Sequence, residues 1–222
     1  MQGSMESMEE VIYTFRNQTW LLSAQRAVFW KEEQALIVSD IHLGKSAHFR
    51  KAGIAVPAHI GQDDLYRLQK LITVYDPAQV IIVGDMFHSS HNNDVPLFKL
   101  WRQQFPHIKF KLVKGNHDIM AERVYAELDV EVYDELEINE IHFVHEPCEE
   151  WDDARYTFSG HLHPGVAVSG AGRQRLRLPC FYFGRRCSIL PAFGRFTGLA
   201  MMDMEEADAV FVIANNSVLK IG

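Results

Sequence analysis

Four short apolar runs, each stopping at a cluster of Gly, Asp, Asn or His, constrain this chain more than any other feature. Ala35 to Val38 runs into Ser39-Asp40-Ile41-His42, and Gln79 to Val83 into Gly84-Asp85. Phe110 to Val113 runs into Lys114-Gly115-Asn116-His117-Asp118, and Ile141 to Val144 into His145. Short continuous apolar runs fit strands buried on both faces. A strand that ends in Gly or Asp turns its backbone there and exposes side chains at the carboxyl edge of a sheet. Asn, His and Asp in succession are costly to bury unless something compensates them.

Helical spacing separates the first three runs. Ala58 to Val74 places Ile60, Leu65, Leu68, Leu71 and Ile72 on one face, and Asp76-Pro77 ends it. Asp94 is a candidate N-cap for a second helix carrying Leu97, Leu100 and Trp101, closed by Pro106. Strand, helix, strand, helix, strand implies parallel pairing through crossovers. At the N-terminus, Val11 to Leu22 and Ala27 to Trp30 suit two strands joined by a turn. After a short helix over Ile119 to Leu128 the character changes. Val130–Tyr133, Glu137–Ile138, Ile141–Val144, Tyr156–Phe158, Val166–Val168, Phe181–Phe183, Ser188–Leu190, Ala209–Ile213 and Val218–Ile221 are short runs that suggest a second, mostly antiparallel sheet. No Pro/Gly/Ser-rich linker divides the halves. The expectation is one α/β domain over residues 1–222, with two packed sheets, helices outside them and a flexible acidic start over residues 1–10.

Composition narrows the class. Hydrophobic residues at 47% and charged residues at 23% are ordinary for a soluble globular protein. No apolar run reaches the 18 residues or so of a membrane span, and the start lacks the basic and apolar segments of a signal peptide. Three cysteines, Cys148, Cys180 and Cys187, argue against a disulfide framework and for a reducing compartment. The net charge of −7 disfavours non-specific coating of nucleic acid, but it averages over a strong asymmetry. Val124 to Ala154 holds twelve acids and no Lys or Arg, whereas His161 to Ala200 holds six Arg (173, 175, 177, 185, 186 and 195) and no acid. Such an arginine run is either a solvated edge that guards against strand pairing or a local anion-binding surface.

A fifth cluster, Gly160-His161-Leu162-His163, follows Thr157-Phe158-Ser159. Singly, each cluster could be a turn or a hydrogen-bonded strand end. Together they offer Asp40, His42, Asp85, Asn116, His145, His161 and His163, with no thiolate. Mixed imidazole and carboxylate donors suit Zn, Fe or Mn and argue against a structural zinc site. The set is too large for one tetrahedral ion and would serve two ions sharing a carboxylate, an arrangement suited to phosphoryl displacement. Gly44-Lys45-Ser46 does not complete a P-loop, because Ser39 stands where the first Gly is required.

The ordered set Asp-x-His, Gly-Asp, Gly-Asn-His-Asp, His and Gly-His-x-His, spanning Asp40 to His163, resembles the calcineurin-like metallophosphoesterases. The resemblance implies a four-layer α/β/β/α sandwich of two mixed sheets flanked by helices, and two divalent metal ions. By motif position, Asp40, His42 and His163 would hold one metal, Asn116, His145 and His161 the other, and Asp85 would bridge both. A hydroxide between the metals would be the nucleophile. His117 would be catalytic, stabilising the transition state or protonating the leaving oxygen. Asp118, grouped with it, would orient His117 by hydrogen bonding, unless it caps the following helix. Manganese is the expected metal, with iron or zinc as substitutes. Two departures point to a subgroup: Asp85 is followed by Met86-Phe87-His88 rather than by a further acid at the third position, and His145 sits in His-Glu-Pro.

Asp-Ile-His-Leu-Gly-Lys, Gly-Asp-Met-Phe-His-Ser, the His-Glu-Pro and the late Leu-Pro-Cys-Phe through Leu-Pro-Ala-Phe-Gly-Arg-Phe-Thr-Gly are similar to the bacterial DNA ligase-associated metallophosphoesterases, from about Trp20 onward. This implies a cytoplasmic phosphodiesterase in a DNA-processing context, with an ATP-dependent ligase, a helicase and an exonuclease as functional partners. The substrate would be a phosphoester, in nucleic acid or a nucleotide, and no membrane role is expected. His48, Arg50, His88, Arg185 and Arg186 are the candidate substrate contacts. Two other functions compete: a non-catalytic scaffold for a ligase or helicase, and a nucleotide or lipid-sugar pyrophosphatase. A scaffold has no need of all seven donors, and the pyrophosphatase would want an amphipathic membrane-facing insertion that is not visible.

Overall fold

The computed structural model describes residues 9–45, 60–88, 94–147, 155–169, 175–204 and 207–221. His48, Arg50 and Arg173 therefore lie outside the described residues, as does the expected start of the first helix at Ala58.

The first sheet holds seven strands in sequence order: β1 (Glu10–Phe15), β2 (Gln18–Ser23), β3 (Ala27–Trp30), β4 (Ala35–Ser39), β5 (Gln79–Val83), β6 (Lys109–Val113) and β7 (Glu131–Tyr133). β1 to β4 pair antiparallel and β4 to β7 parallel. Two expectations are corrected. The stretch Val11–Leu22 is two strands, broken at Arg16 and Asn17, whose φ values of 51° and 58° make the two-residue turn that the strand twist favours. Val130–Tyr133 joins the first sheet beside β6, not the second, because Leu112 and Val113 offer it a parallel partner.

Helix α1 (Ile60–Tyr75) connects β4 to β5, α2 (Val95–Arg102) connects β5 to β6, and α3 (Glu122–Glu127) precedes β7. Asp94 does stand at the N-cap of α2, and its side chain makes no capping bond there. Alternation along the central strands separates two cores. Leu36, Val38, Val80, Ile82, Phe110 and Leu112 face the helices and meet Leu65, Leu68, Leu71, Phe98, Trp101 and Tyr125. Ile37, Ile81, Val83 and Val113 face the other way.

That other face meets the second sheet. Its strands are β8 (Leu136–Ile138), β9 (Ile141–Phe143), β10 (Tyr156–Ser159), β11 (Pro164–Ser169), β12 (Arg175–Gly184), β13 (Cys187–Ile189), β14 (Ala200–Met201), β15 (Ala207–Ala214) and β16 (Ser217–Lys220). The sheet is mixed: β10 pairs parallel with β9 and β13, and β12 runs antiparallel to β11, β13 and β15. Phe143, Tyr156, Phe158, Phe181 and Phe183 fill the space between the sheets, with Trp20 stacked on Phe158 at 4.7 Å. Each such ring fully buried contributes roughly 1.5–3 kcal/mol of transfer free energy.

The architecture is thus α/β, two mixed sheets flanked by helices. The three described helices all pack on the first sheet. The outer face of the second carries its own cluster of Val166, Cys180, Tyr182, Ile189, Val210 and Val212, with no helix over it among the described residues. No described helix is long and apolar enough to cross a membrane.

Candidate metal centre

Register decides where the polar clusters go. Ser39, Val83 and Val113 lie in one row across β4, β5 and β6, so Asp40, Gly84 and Lys114 leave the sheet side by side. In the second sheet, parallel β9, β10 and β13 end at the same edge. Val144 donates to the Phe158 carbonyl, Gly160 to the His145 carbonyl and Leu190 to the Ser159 carbonyl. A parallel bridge from Ser39 to Ala192 ties the two edges together.

Beyond the strands the backbone is held by further hydrogen bonds. Asp40 N–H donates to the Gly84 carbonyl at 3.1 Å, His42 to Asp85 at 2.9 Å and Leu43 to Met86 at 3.0 Å. Asp40, His42, Asp85, His161 and His163 all adopt left-handed φ between 48° and 64°. That conformation is uncommon for residues with a Cβ, and strained residues of this kind cluster at functional sites when their surroundings hold them. Gly84, at φ 77°, is required twice, since a Cβ there would also strike the His145 ring. A Cβ at Gly160 would meet Asp40 Oδ2.

The side chains converge. Donor atoms of Asp40, His42 and His163 lie within 4.8 Å of one another, as do those of Asp40, Asp85 and His145. His145 Nε2 lies 3.0 Å from Asn116 Oδ1, 3.2 Å from His161 Nδ1 and 3.5 Å from Asp85 Oδ1. Asp40 and Asp85 are buried, and the His161 and His117 amides donate to them at 3.1 and 2.9 Å. Burial, first, and then the ammonium of Lys45 lower the His42 pKa to about 2, which keeps its imidazole neutral. A neutral His42 imidazole offers a ring-nitrogen lone pair beside the buried carboxylates of Asp40 and Asp85. Lys45 is half-buried near Asp40 and Asp85, and burial lowers its pKa. Lys45 was given no site role from the sequence, although its place in Asp-Ile-His-Leu-Gly-Lys was the signal that it borders this edge.

His117 and His88 stand on the open side. The His117 side chain is 40% exposed, with Nε2 4.0 Å from Asp85 Oδ2. Its ring stacks on His88, centroids 4.9 Å apart, and both rings meet His42 edge-on. His88 thus belongs to the same cluster.

The structure corrects Asp118. Its carboxylate accepts from the amides of Met86, Phe87 and Gly115 at 3.1, 3.2 and 3.0 Å, and lies 3.5 Å from the Tyr125 hydroxyl. These bonds tie the loop after β5 to the loop after β6. None goes to the His117 imidazole, and α3 begins at Glu122 with Ala121 at its N-cap, so Asp118 neither orients that ring nor caps the helix. Burial raises its pKa to about 6 against the pull of the three amides. Arg185 and Arg186 are corrected as well. They turn β12 into β13 at the far end of the strands, where the Arg186 carbonyl accepts from Thr157 N–H, four residues before His161. At about 3.3 Å per residue this is ~13 Å from the cluster, on the wrong side to touch a reacting phosphoryl group.

The profile described as calcineurin-like phosphoesterase matches residues 34–164, from β4 to the start of β11. The chain belongs to this family. Among solved structures, the crystal structure of Pseudomonas putida nuclease MPE is 30% identical, with a TM-score of 0.82, covering 96% of this chain and 100% of that one. A protein of unknown function from Aquifex aeolicus is 20% identical over 58% of this chain and 78% of that one (TM-score 0.42). The E. coli phosphoesterase Yfce is 12% identical over 82% and 88% (TM-score 0.41). Among curated proteins, none matches this sequence.

The protein is therefore a metal-dependent phosphoester hydrolase, and its residues fit the metal. Both ring nitrogens of His42 and Nε2 of His163 are buried without a hydrogen-bond partner. They point into a cluster whose acids are buried and close together. A divalent cation answers both costs at once.

Proposed function

We propose that this enzyme is a two-metal phosphodiesterase that acts on nucleic acid in a DNA-processing context. The observation that carries the reading is the 30% identity to a nuclease along 96% of the chain, with that protein covered completely. Asp40, His42 and His163 would hold one ion, Asn116, His145 and His161 the second, and Asp85, between the two sets, would serve both. Manganese suits the oxygen and imidazole donors. When bound, such a pair supplies an activated water and neutralises charge on the phosphate.

The remaining chemistry falls to side chains. Asp85 accepts the His117 N–H and so fixes the turn that presents the His117 ring. That ring is the open, polar group at the mouth of the cluster, in position to hydrogen-bond a phosphoryl oxygen and give a proton to the leaving oxygen. His88, stacked against it, limits its rotation. Asp118 keeps the two loops at fixed separation.

The test is hydrolysis of bis(p-nitrophenyl) phosphate and of a single-stranded DNA oligonucleotide, with manganese added after chelation. Manganese-dependent cleavage of both supports the reading. Cleavage of aryl monoesters alone, or of no diester once metal is shown to be bound, overturns it.

A further inference from the structure

The arginine run found in the sequence divides into parts once its strands are placed. β12 is longer than the sheet around it. Its second half, from Cys180, pairs with β15 and packs Phe181 and Phe183 between the sheets. Its first half, Arg175 to Pro179, pairs only with β11, through Ser169↔Arg175, Ala167↔Arg177 and Gly165↔Pro179. β14 accompanies β11 only as far as Gly165. Beyond that, β11 and β12 form a two-stranded ribbon free on both sides among the described residues.

The direction of the ribbon follows from its root. β11 starts at Pro164, directly after His163. Ala167 and Ser169 lie four and six residues beyond that histidine. At about 3.3 Å per residue, Arg177 and Arg175 stand ~13 and ~20 Å along the ribbon from the metal cluster.

Alternation fixes the face. Cys180 and Tyr182, with Val166 of β11, belong to the outer cluster, whereas Phe181 and Phe183 point toward the first sheet. Arg175 and Arg177 share the parity of Phe181 and Phe183. They continue the inner face past the point where β4, β5 and β6 have ended, so that nothing of the first sheet's strands lies opposite them. Their cross-strand partners on that face, Ala167 and Ser169, are small, and Leu199 covers the face only nearer the root, at Gly165. Both arginines are exposed, and among the described residues neither forms an ion pair or a side-chain hydrogen bond. The segment from His161 to Ala200 contains no acid that could neutralise them.

We propose that the inner face of the β11–β12 ribbon binds the backbone of a nucleic-acid strand flanking the scissile phosphodiester, with Arg175 and Arg177 each neutralising a phosphate. This rests on the nucleic-acid reading given above. The match is one of charge and reach: a polyanion held at the metal cluster continues past the sheet edge, and guanidinium forks pair with phosphates bidentately. A small diester cannot extend to the ribbon, so the two substrates separate its contribution from the chemistry.

The experiment compares the manganese-loaded wild type with R175A/R177A, R175K/R177K and R185A/R186A. Each is assayed on a single-stranded DNA oligonucleotide over a range of salt and on bis(p-nitrophenyl) phosphate. R175A/R177A is expected to lose about tenfold in kcat/KM on the oligonucleotide and to flatten its logarithmic salt dependence by about two, one per phosphate contact. It should keep wild-type rates on the aryl diester, which also shows that it folds. R175K/R177K should retain most of the oligonucleotide rate. R185A/R186A, the same charge change at the far end of β12, should alter neither substrate. The ribbon proposal falls, and the nuclease reading survives, if R175A/R177A cleaves the oligonucleotide as well as wild type, loses both substrates equally, or loses no more than R185A/R186A. Both fall if the wild type hydrolyses the aryl diester and leaves the oligonucleotide intact.

Discussion

Two buried polar regions flank the Ala192–Gly194 segment, and they are composed differently. At the metal edge, Asp40 and Asp85 lie among imidazoles, and the ring nitrogens of His42 and Nε2 of His163 have no hydrogen-bond partner. On the other side, Asp64 of α1 meets Arg67 at 3.2 Å, and both are buried. Arg67 donates to the Phe193 carbonyl, its guanidinium lying 4.0 Å over the Phe193 ring. Arg26 donates to the carbonyls of Ala192 and Gly194 at 3.2 and 3.4 Å. The second region contains its own cations, so it is a brace. In the first, the half-buried Lys45 borders the acids, and the buried groups are carboxylates and imidazoles with unpartnered ring nitrogens, so it is a receptor for a cation. Burial of polar groups does not by itself mark a site; buried acids without a fully buried cation beside them do.

The comparison breaks most visibly if Arg67 is removed. Arg67→Met takes from the buried Asp64 its ion-pair partner and leaves it Arg195 and Arg26, and a stability loss of about 3 kcal/mol is expected from chemical denaturation. The double variant Asp64→Leu/Arg67→Met should recover most of that loss. Manganese content per folded molecule, read by elemental analysis, should stay at the wild-type level in both. A brace gives that result; a metal-binding region would lose the ion.

Asp85→Asn should behave in the opposite way. It removes charge from the centre of the receptor, and diesterase activity should fall by at least about 100-fold, since even groups one contact removed from a metal are worth 10–100-fold. Chelated protein should be no less stable than chelated wild type, because two close buried carboxylates become one. Wild type, at metal concentrations near 100 times its dissociation constant, should gain about 2.7 kcal/mol on metal addition. If Asp85→Asn binds and is stabilised equally, the receptor has been misplaced.

Asp118 belongs to neither region and sharpens the line between them. Asp118→Asn keeps the shape but turns an amide NH2 toward the N–H groups of Met86, Phe87 or Gly115. A loss of about 2 kcal/mol in stability is expected, with roughly tenfold weaker metal binding as the two loops move apart. A change in kcat alone, with stability and metal affinity intact, would show instead that Asp118 acts on the reaction directly.

The receptor was legible in the sequence and the brace was not, for a physical reason. Asp40, His42, Asp85, Asn116, His145, His161 and His163 each follow an apolar run, and parallel strands in register must deliver their ends to one edge. Chain order alone therefore collects them. Asp64 and Arg67 lie one helical turn apart in α1 and read as an ordinary exposed i, i+3 pair. Only the fold of the late segment around Phe193 shows that they are buried. A run of like charge does not say at which end of a strand it lies, and Arg185 and Arg186 lie at the end away from the metal edge. The registers of β12 against β11 and β13 sent one part of the run past the metal edge and another to the opposite end. Asp118 was misjudged because its partners are backbone amides, which no side-chain pattern announces.

The smallest expected effect concerns the pH response of the brace. Burial outweighs the attraction of Arg67 and the other arginines and raises the Asp64 pKa to about 6; the same burial lowers that of Arg67 to about 10. An ion pair at 3.2 Å with both members shifted toward neutrality is one in which desolvation exceeds attraction. In the unfolded chain Asp64 ionises near its ordinary value of about 3.9. Between these two values the folded state binds more protons than the unfolded state, so stability falls as pH rises, and the loss is complete by about one unit above pH 6. Asp64→Asn has no such proton to bind. The stability of Asp64→Asn relative to wild type should therefore rise by about 1 kcal/mol from pH 5 to pH 6, a window one unit wide, and level off by about pH 7. Urea titrations of chelated protein at half-unit steps would read this, with the other carboxylates cancelling in the difference. A flat or falling difference would mean that Arg67 holds Asp64 ionised, and that the brace is an ion pair in charge as well as in geometry.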